Sequence, residues 1–289
     1  MGWALIPVPP AEIDGVRVEG PVSARYEDLS QDGHFRPLGL PHALGQLVWP
    51  ALMQLPVSEQ AREAGVLPIL SRMILRRGGA PLSPIRPFQG EGIGHRATVR
   101  AADGSVDRIL LLMWTRFSGR QGATHETGEG GDYLLAGEVY AEHIFTRLFG
   151  EPGDRRVREL PDGIPTGSWE WTPFERVAAP EAAWEKGQEI LRSFRFGLTH
   201  TDPNFHVNSL AYPRIFEETA LDCLAEAGLP FGELAVEEIE MMWRKPFFAG
   251  DSVQIRASLY RAAGRLHMLG AFLDQRGAER CRIRLSYAE

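Results

Sequence analysis

Between Phe194 and Tyr287 the spacing of apolar residues changes from two to a helical period and back to two, which confines this stretch to a strand, a single helix and then further strands. Phe194, Phe196 and Leu198 alternate as in a half-buried strand. Tyr212, Ile215, Phe216, Thr219, Cys223 and Leu224 then recur at helical spacing, with Glu217, Glu218, Asp222 and Glu226 on the polar side. Gly228 and Pro230 supply the stop. Residues 236–245, the alternating Val253, Ile255, Ala257 and Leu259, residues 266–273, and Cys281, Ile283, Leu285 and Tyr287 predict four further strands. Pro213 conflicts with a helix that begins at Asn208 or Ser209, so the helix either kinks there or starts nearer Tyr212.

The first half can be drawn on the same plan, although its sequence identity with the second is slight. Residues 16–26 read as the opening strand, 41–55 as the helix, and 66–76, 94–100, 109–116 and 134–146 as strands. Residues 151–188 are rich in proline, include the run Gly163-Ile164-Pro165-Thr166-Gly167 and show no sustained period, so they read as a linker. The expected organisation is a first unit over 1–150, a linker over 151–188 and a second unit over 189–289.

Thr201-Asp202-Pro203-Asn204-Phe205-His206-Val207-Asn208 places a carboxylate, an amide and an imidazole at alternate positions just before the second helix. Pro203 fixes its own φ and biases Asp202 away from the helical region, so the segment is extended or turning. In an extended segment Asp202, Asn204 and His206 share a face and converge on one substrate. The structural alternative is that Asp202, Asn204 and Asn208 are turn and cap residues.

The phrase HTDPNFHVNSLAYPRIFEETAL, followed by a strand and then RKPFFAGDSV, resembles the hot-dog thioesterase superfamily. There an Asp-x-Asn-x-His-Val-Asn segment precedes a long central helix, and a basic-Pro…Gly-Asp turn links the next two strands. The resemblance is specific over about residues 190–289 and faint elsewhere, and is nearest to the acyl-carrier-protein thioesterases and the hydroxybenzoyl-CoA-type thioesterases. It implies an α+β double hot-dog, two antiparallel sheets each wrapped around a long central helix. In those families the residue matching Asp202 is nucleophile or general base, and in the carrier-protein branch the matches to Asn204 and His206 assist. That branch carries a further carboxylate just before its Gly-containing turn, where this chain has Pro246-Phe247-Phe248.

Asn208 and Ser209 at the helix start and Tyr212, Phe216 and Trp243 are the candidate substrate-binding residues; the aromatics Phe205, Tyr212, Phe216, Trp243, Phe247 and Phe248 are of the type that lines an acyl or aryl pocket, with core packing as the default for most of them. The implied partner is an acyl-CoA or acyl-carrier-protein thioester, with no cofactor and no metal, and homo-oligomer formation stays open. Two fused copies would replace the dimer other members form. The rival readings are a dehydratase, decarboxylase or acyltransferase on a polyketide or fatty-acyl thioester, or a non-catalytic acyl-binding module. In the first half His34 aligns with His206, Asp32 with Asn204 and Ser30 with Asp202, so the acidic residue is replaced by serine.

Composition narrows the alternatives. The chain has 289 residues, 44% hydrophobic and 24% charged, which suits a globular protein of two small domains. A formal net charge of −7 disfavours nucleic-acid binding, while leaving room for a locally basic groove for coenzyme A. The two cysteines, Cys223 and Cys281, lack metal or redox spacing and read as core residues, which fits a reducing cytoplasm. MGWALIPVPP lacks the pattern of a signal peptide, and no window approaches the ~20 apolar residues of a membrane span.

Other motifs carry less. His200 faces the same loop as His206 and reads as a cap or packing residue. Glu138, Glu142 and His143 read as charges on an apolar strand rather than metal ligands. Gly90-x-Gly92-x-Gly94 lacks dinucleotide-loop spacing and reads as a turn, and no Gly-x-Ser-x-Gly elbow is present. Arg280, Arg282 and Arg284 share one face of the last strand, available to phosphates or to an acidic carrier, or else a solvated edge.

Overall fold

The computed structural model describes residues 6–12, 15–123, 131–147, 150–151, 153–161, 164, 169–171, 183–230 and 234–288. The chain divides into two compact units, residues 1–35 with 39–174 and residues 36–38 with 175–289.

In the second unit β7 (Glu185–Arg195), α3 (Ala211–Glu226), β8 (Ala235–Trp243), β9 (Ser252–Ala262), β10 (Arg265–Leu273) and β11 (Glu279–Ala288) follow the expected order. The strands pair antiparallel in the order β8-β11-β10-β9-β7, and α3 lies against β7, β9 and β11. The helix starts at Ala211, so Pro213 falls in its first turn, where a missing N–H costs no intrahelical bond. Ile215, Phe216, Ala220, Cys223 and Leu224 are buried, which is the apolar side predicted by the spacing. Gly270 of β10 makes the fit: a Cβ there would overlap the Phe216 ring.

The first unit contains β1 (Gly15–Val22), β2 (Val66–Arg77), β3 (Phe88–Arg100), β4 (Val106–Arg120) and β5 (Tyr133–Arg147), in the order β1-β3-β4-β5-β2. Numbered within each unit, the two sheets have the same strand order, first-third-fourth-fifth-second. The helical part is close to expectation in extent and differs in kind: the chain is helical without a break over 42–53, but its middle, Leu44–Val48, is π-helical and runs into α1 (Trp49–Met53), and after Gln54 a separate α2 (Pro56–Glu63) follows. Pro56 sits at the start of α2, where proline is tolerated, and ends any continuation from α1, while Pro50 falls just after the π-helical turn. Among the described residues α3, with 16 residues, is the longest helix, and the helical segment of the first unit is shorter and interrupted after Met53.

Gly90, Gly92 and Gly94 lie inside β3 rather than in a turn. Added Cβ atoms would stand 2.7 Å from Leu47 Cδ1, 2.5 Å from Val48 Cγ2 and 3.1 Å from Leu52 Cδ1, so the stripe is the seat on which the helical segment closes. Part of the expected linker also belongs to this unit. Trp169–Glu170 form a short strand, β6, parallel to Ala97–Thr98, and Trp169 and Trp171 join a buried cluster with Trp114 and Tyr140. The first unit thus runs to Phe174. The N-terminal residues 1–5 and the run at 163–167, Ile164 excepted, lie outside the described residues. Among those described, no helix is long and apolar enough to cross a membrane.

Candidate active site

Residues 201–207 form a closed turn. Thr201 pairs with Val207, Asp202 N–H donates to His206 O at 3.0 Å, and Phe205 N–H donates to Asp202 O at 2.9 Å. Pro203 occupies the second position of this β-turn, where its fixed φ fits, and Asp202 Oδ1 accepts Asn204 N–H at 2.9 Å. The segment is thus folded back and not extended, which corrects the shared-face argument. Asp202 and His206 face each other across the turn, as opposed residues of an antiparallel pair do, and Asn204 stands exposed at the tip.

A second loop holds the turn in place. Val207 N–H donates to Phe247 O at 2.8 Å, and His206 pairs with Phe248, whose ring meets the imidazole edge-on at 5.2 Å. The stretch that departs from the carrier-protein branch therefore contributes backbone pairing and an aromatic ring. Asp251, unremarked in the sequence beyond its Gly-Asp context, fixes this loop: its Oδ2 accepts Phe248 N–H at 2.9 Å and its carbonyl accepts Phe196 N–H at 3.0 Å. Gly250, at φ 92°, lets the backbone turn there.

Three polar groups of the motif remain unspent. Asp202 Oδ2, the Asn204 amide and the His206 imidazole have no hydrogen-bond partner among the described residues, and Asp202 and His206 are half-buried. His200 is committed elsewhere: its Nδ1 accepts Gly197 N–H at 2.8 Å and its ring packs on Phe194 and Phe196, the cap-and-packing role expected.

The candidate substrate-binding residues separate into two groups. Asn208 Oδ1 accepts Leu210 N–H at 2.9 Å in an Asx turn just ahead of α3, and Ser209 is half-buried in the same turn. Tyr212 and Phe216 are core residues, 1% and 0% exposed; Tyr212 Oη accepts Phe247 N–H at 3.3 Å, and burial pushes its hydroxyl pKa above the normal tyrosine range. Trp243 meets Tyr212 edge-on at 6.3 Å, and its buried Nε1–H has no acceptor among the described residues.

The first unit repeats the turn. Ser30 N–H donates to His34 O at 2.8 Å, Gly33 N–H donates to Ser30 O at 2.9 Å, and Leu29 pairs with Phe35. These are the bonds of residues 201–207 in the same register. Here the carboxylate is spent inside the unit: Ser30 Oγ donates to Asp32 Oδ1, the His34 backbone N–H donates to the same oxygen at 3.2 Å, and Arg77 Nη1 lies 3.0 Å from Asp32 Oδ2, with His34 Nδ1 3.1 Å from that oxygen. Burial raises the Asp32 carboxyl, but the hydrogen bonds from the Ser30 hydroxyl, the Arg77 guanidinium and the His34 backbone N–H outweigh it and hold the group well below the usual carboxylate range.

Two surface readings are corrected. Arg284 is 3% exposed and ion-paired with Glu238 at 3.0 Å and Glu240 at 2.9 Å, so it is buried and not solvated, while Arg280 and Arg282, partly exposed, pair with Asp274 and Glu279, each at 2.7 Å. Glu142 and His143 are buried rather than exposed: Tyr140 Oη donates to Glu142 at 2.8 Å, and His143 meets Trp49 edge-on at 5.2 Å. As strand neighbours they face opposite sides and cannot share a metal. A basic cleft of about 770 Å³ does occur in the first unit, lined by Arg147, Gly153, Asp154, Arg156 and Arg158.

Fold and turn together define a class: the chain has the hot-dog fold of thioesterase structures over nearly its whole length. A Lactobacillus plantarum protein described as an oleoyl thioesterase aligns over 95% of this chain and 96% of its own, with a TM-score of 0.64 at 13% identity. The 12:0-ACP thioesterase of Umbellularia californica aligns over 96% and 99%, with a TM-score of 0.54 at 14% identity. An acyl-ACP thioesterase of Bacteroides thetaiotaomicron VPI-5482 aligns over 94% and 98%, with a TM-score of 0.52 at 14% identity. No protein-family model and no curated protein sequence matches the chain.

Proposed function

We propose that this chain hydrolyses an acyl or aryl thioester carried on coenzyme A or on an acyl-carrier protein, with Asp202 as general base or nucleophile. The observation that carries the reading is the unspent Asp202 Oδ2, held by a turn that is closed by its own backbone hydrogen bonds and tied to Phe247, shortly before α3. The thioester carbonyl lies over the start of α3, where the backbone N–H groups of the first turn and the helix dipole stabilise the developing oxyanion. Asp202 either activates water or attacks to form an acyl anhydride, expelling the thiolate, and water then releases the acid. Asn204 and His206 hold the water or the carbonyl, and Asn208 and Ser209 shape the helix entry. The Trp243 Nε1–H is the donor left for substrate behind it.

The three full-length structural neighbours are described as thioesterases, and this supports the hydrolytic reading over dehydration or transfer. In the same proposal the first unit is a degenerate hot-dog copy that has lost the acidic residue, supported by the matching strand order and turn. A cytoplasmic location belongs to it too, supported by two free, buried cysteines. The deciding experiment is thiol release from aliphatic and aryl thioesters of both carriers, with product mass analysis. Free thiol with the free acid supports hydrolysis; an unchanged thioester, or an acyl group moved to another acceptor, defeats it.

A further inference from the structure

Phe205 adopts the left-handed backbone conformation, φ 63°, and its side chain is 82% exposed. Both properties are unfavourable, since a Cβ disfavours that region and an exposed benzyl group leaves apolar surface in water. The turn fixes the left-handed backbone but not the side chain: Gly33 fills the corresponding position of the first unit at φ 78° with the same backbone bonds and no Cβ. Ala263, the other non-glycine residue at positive φ among those described, sits in the short β9–β10 hairpin, where such values are ordinary.

Phe205 is not isolated. Leu198, also 82% exposed, accepts the Thr201 hydroxyl on its carbonyl at 2.8 Å, and Phe248, 47% exposed, is paired with His206. Large apolar side chains left in water thus stand on the turn bearing Asp202 and His206, at Phe205, and on the segments bonded to it, at Leu198 and Phe248. Strain and exposure retained together at a site edge point to a ligand that uses them.

We propose that Phe205, with Leu198 and Phe248, forms an apolar lip that grips the hydrocarbon part of the acyl or aryl group at the mouth of the Asp202 site, so that Phe205 is a specificity-determining residue. This rests on the thioester reading. Continuity of the lip with the turn through the His206–Phe248 pair favours the substrate as its occupant over a second copy of the chain.

The test compares the full chain with its Phe205→Gly variant on coenzyme A thioesters from acetyl to long-chain and benzoyl. Glycine relieves the strain, so Tm holds or rises, while KM for long-chain and aryl substrates increases by about 10-fold and KM for acetyl stays within twofold. A fall in Tm of several degrees would assign Phe205 to packing and overturn the proposal, as would a KM change independent of the acyl group. Altered sedimentation with unchanged KM would assign the patch to self-association. Binding of non-hydrolysable thioether analogues separates this inference from the reaction. If the parent hydrolyses nothing yet the variant loses long-chain affinity selectively, the lip stands and the hydrolytic reading falls; equal affinities would sink the lip.

Discussion

Arg77 Nη1 lies 3.0 Å from Asp32 Oδ2, so the carboxylate of the first unit's turn is neutralised by a strand of its own sheet. The turn geometry that leaves Asp202 Oδ2 open in the second unit is used in the first to close an internal network. Ser30→Ala should therefore retain most hydrolysis, measured as thiol release. Asp32→Asn should lower Tm at pH 7. Because the folded Asp32 is more acidic than the unfolded one, its stabilisation is complete above the unfolded value of about 4 and is lost as pH falls below it. The Tm gap between parent and variant should close over that acidic range, and a gap constant from pH 7 to pH 3 would contradict the network.

Asp202→Asn should reduce turnover at least ~100-fold while leaving the circular dichroism spectrum unchanged, because it removes the base or nucleophile and not a packing contact. Asn204→Ala and His206→Ala should each cost less. Their losses should be non-additive in the double variant, as groups acting on one reacting centre are. Near-parental activity in purified Asp202→Asn would remove Asp202 from the chemistry.

Glu217, on α3, offers a second pH test. Burial pushes its carboxyl up to about 7, against the opposing influence of Arg36 and Arg214. Between the unfolded value near 4.5 and about 7, the folded chain keeps a proton that the unfolded chain releases, so this group's contribution falls as pH rises across that window. Glu217→Gln should raise Tm at pH 8 relative to the parent and make little difference at pH 4. Equal shifts at both values would show that the effect is packing and not titration.

Gly270→Ala should destabilise the chain by about 1–3 kcal/mol in denaturant unfolding, since the new methyl overlaps the Phe216 ring and forces α3 or β10 to shift. Adding Phe216→Leu should recover part of that loss. Failure of the pair to couple would mean the helix is not seated on Gly270.

The strand plan was legible because a sheet with one apolar face leaves a period of two in the sequence, as Val253, Ile255, Ala257 and Leu259 show; all four are buried. What misled the reading were residues whose environment is set by distant packing. Gly90, Gly92 and Gly94 looked like a turn because their partners, Leu47, Val48 and Leu52, are some forty residues away in the chain. Arg284 looked like a solvated residue because alternation gives the side of a sheet and not whether that side is covered. At the site, residue types identified the turn, but the extended-segment geometry failed: Asp202 spends one oxygen on Asn204 N–H, and the chain doubles back at once. The αL position of Phe205 had no signal within its own segment, and comparison with Gly33 in the matching register is what exposes it.

The glycine stripe of β3 also decides how the first unit can be remodelled. Space beneath its helical segment is bounded on the sheet side by backbone, so there is no side chain at 90, 92 or 94 left to trim. A cavity over the stripe has to come from its neighbours, Leu47, Val48 and Leu52 on the helical segment or Val16, Val18 and Val22 on β1, whereas adding a side chain to β3 pushes them away. Adaptability at this seat is therefore denied to β3 and left to the elements that close on it.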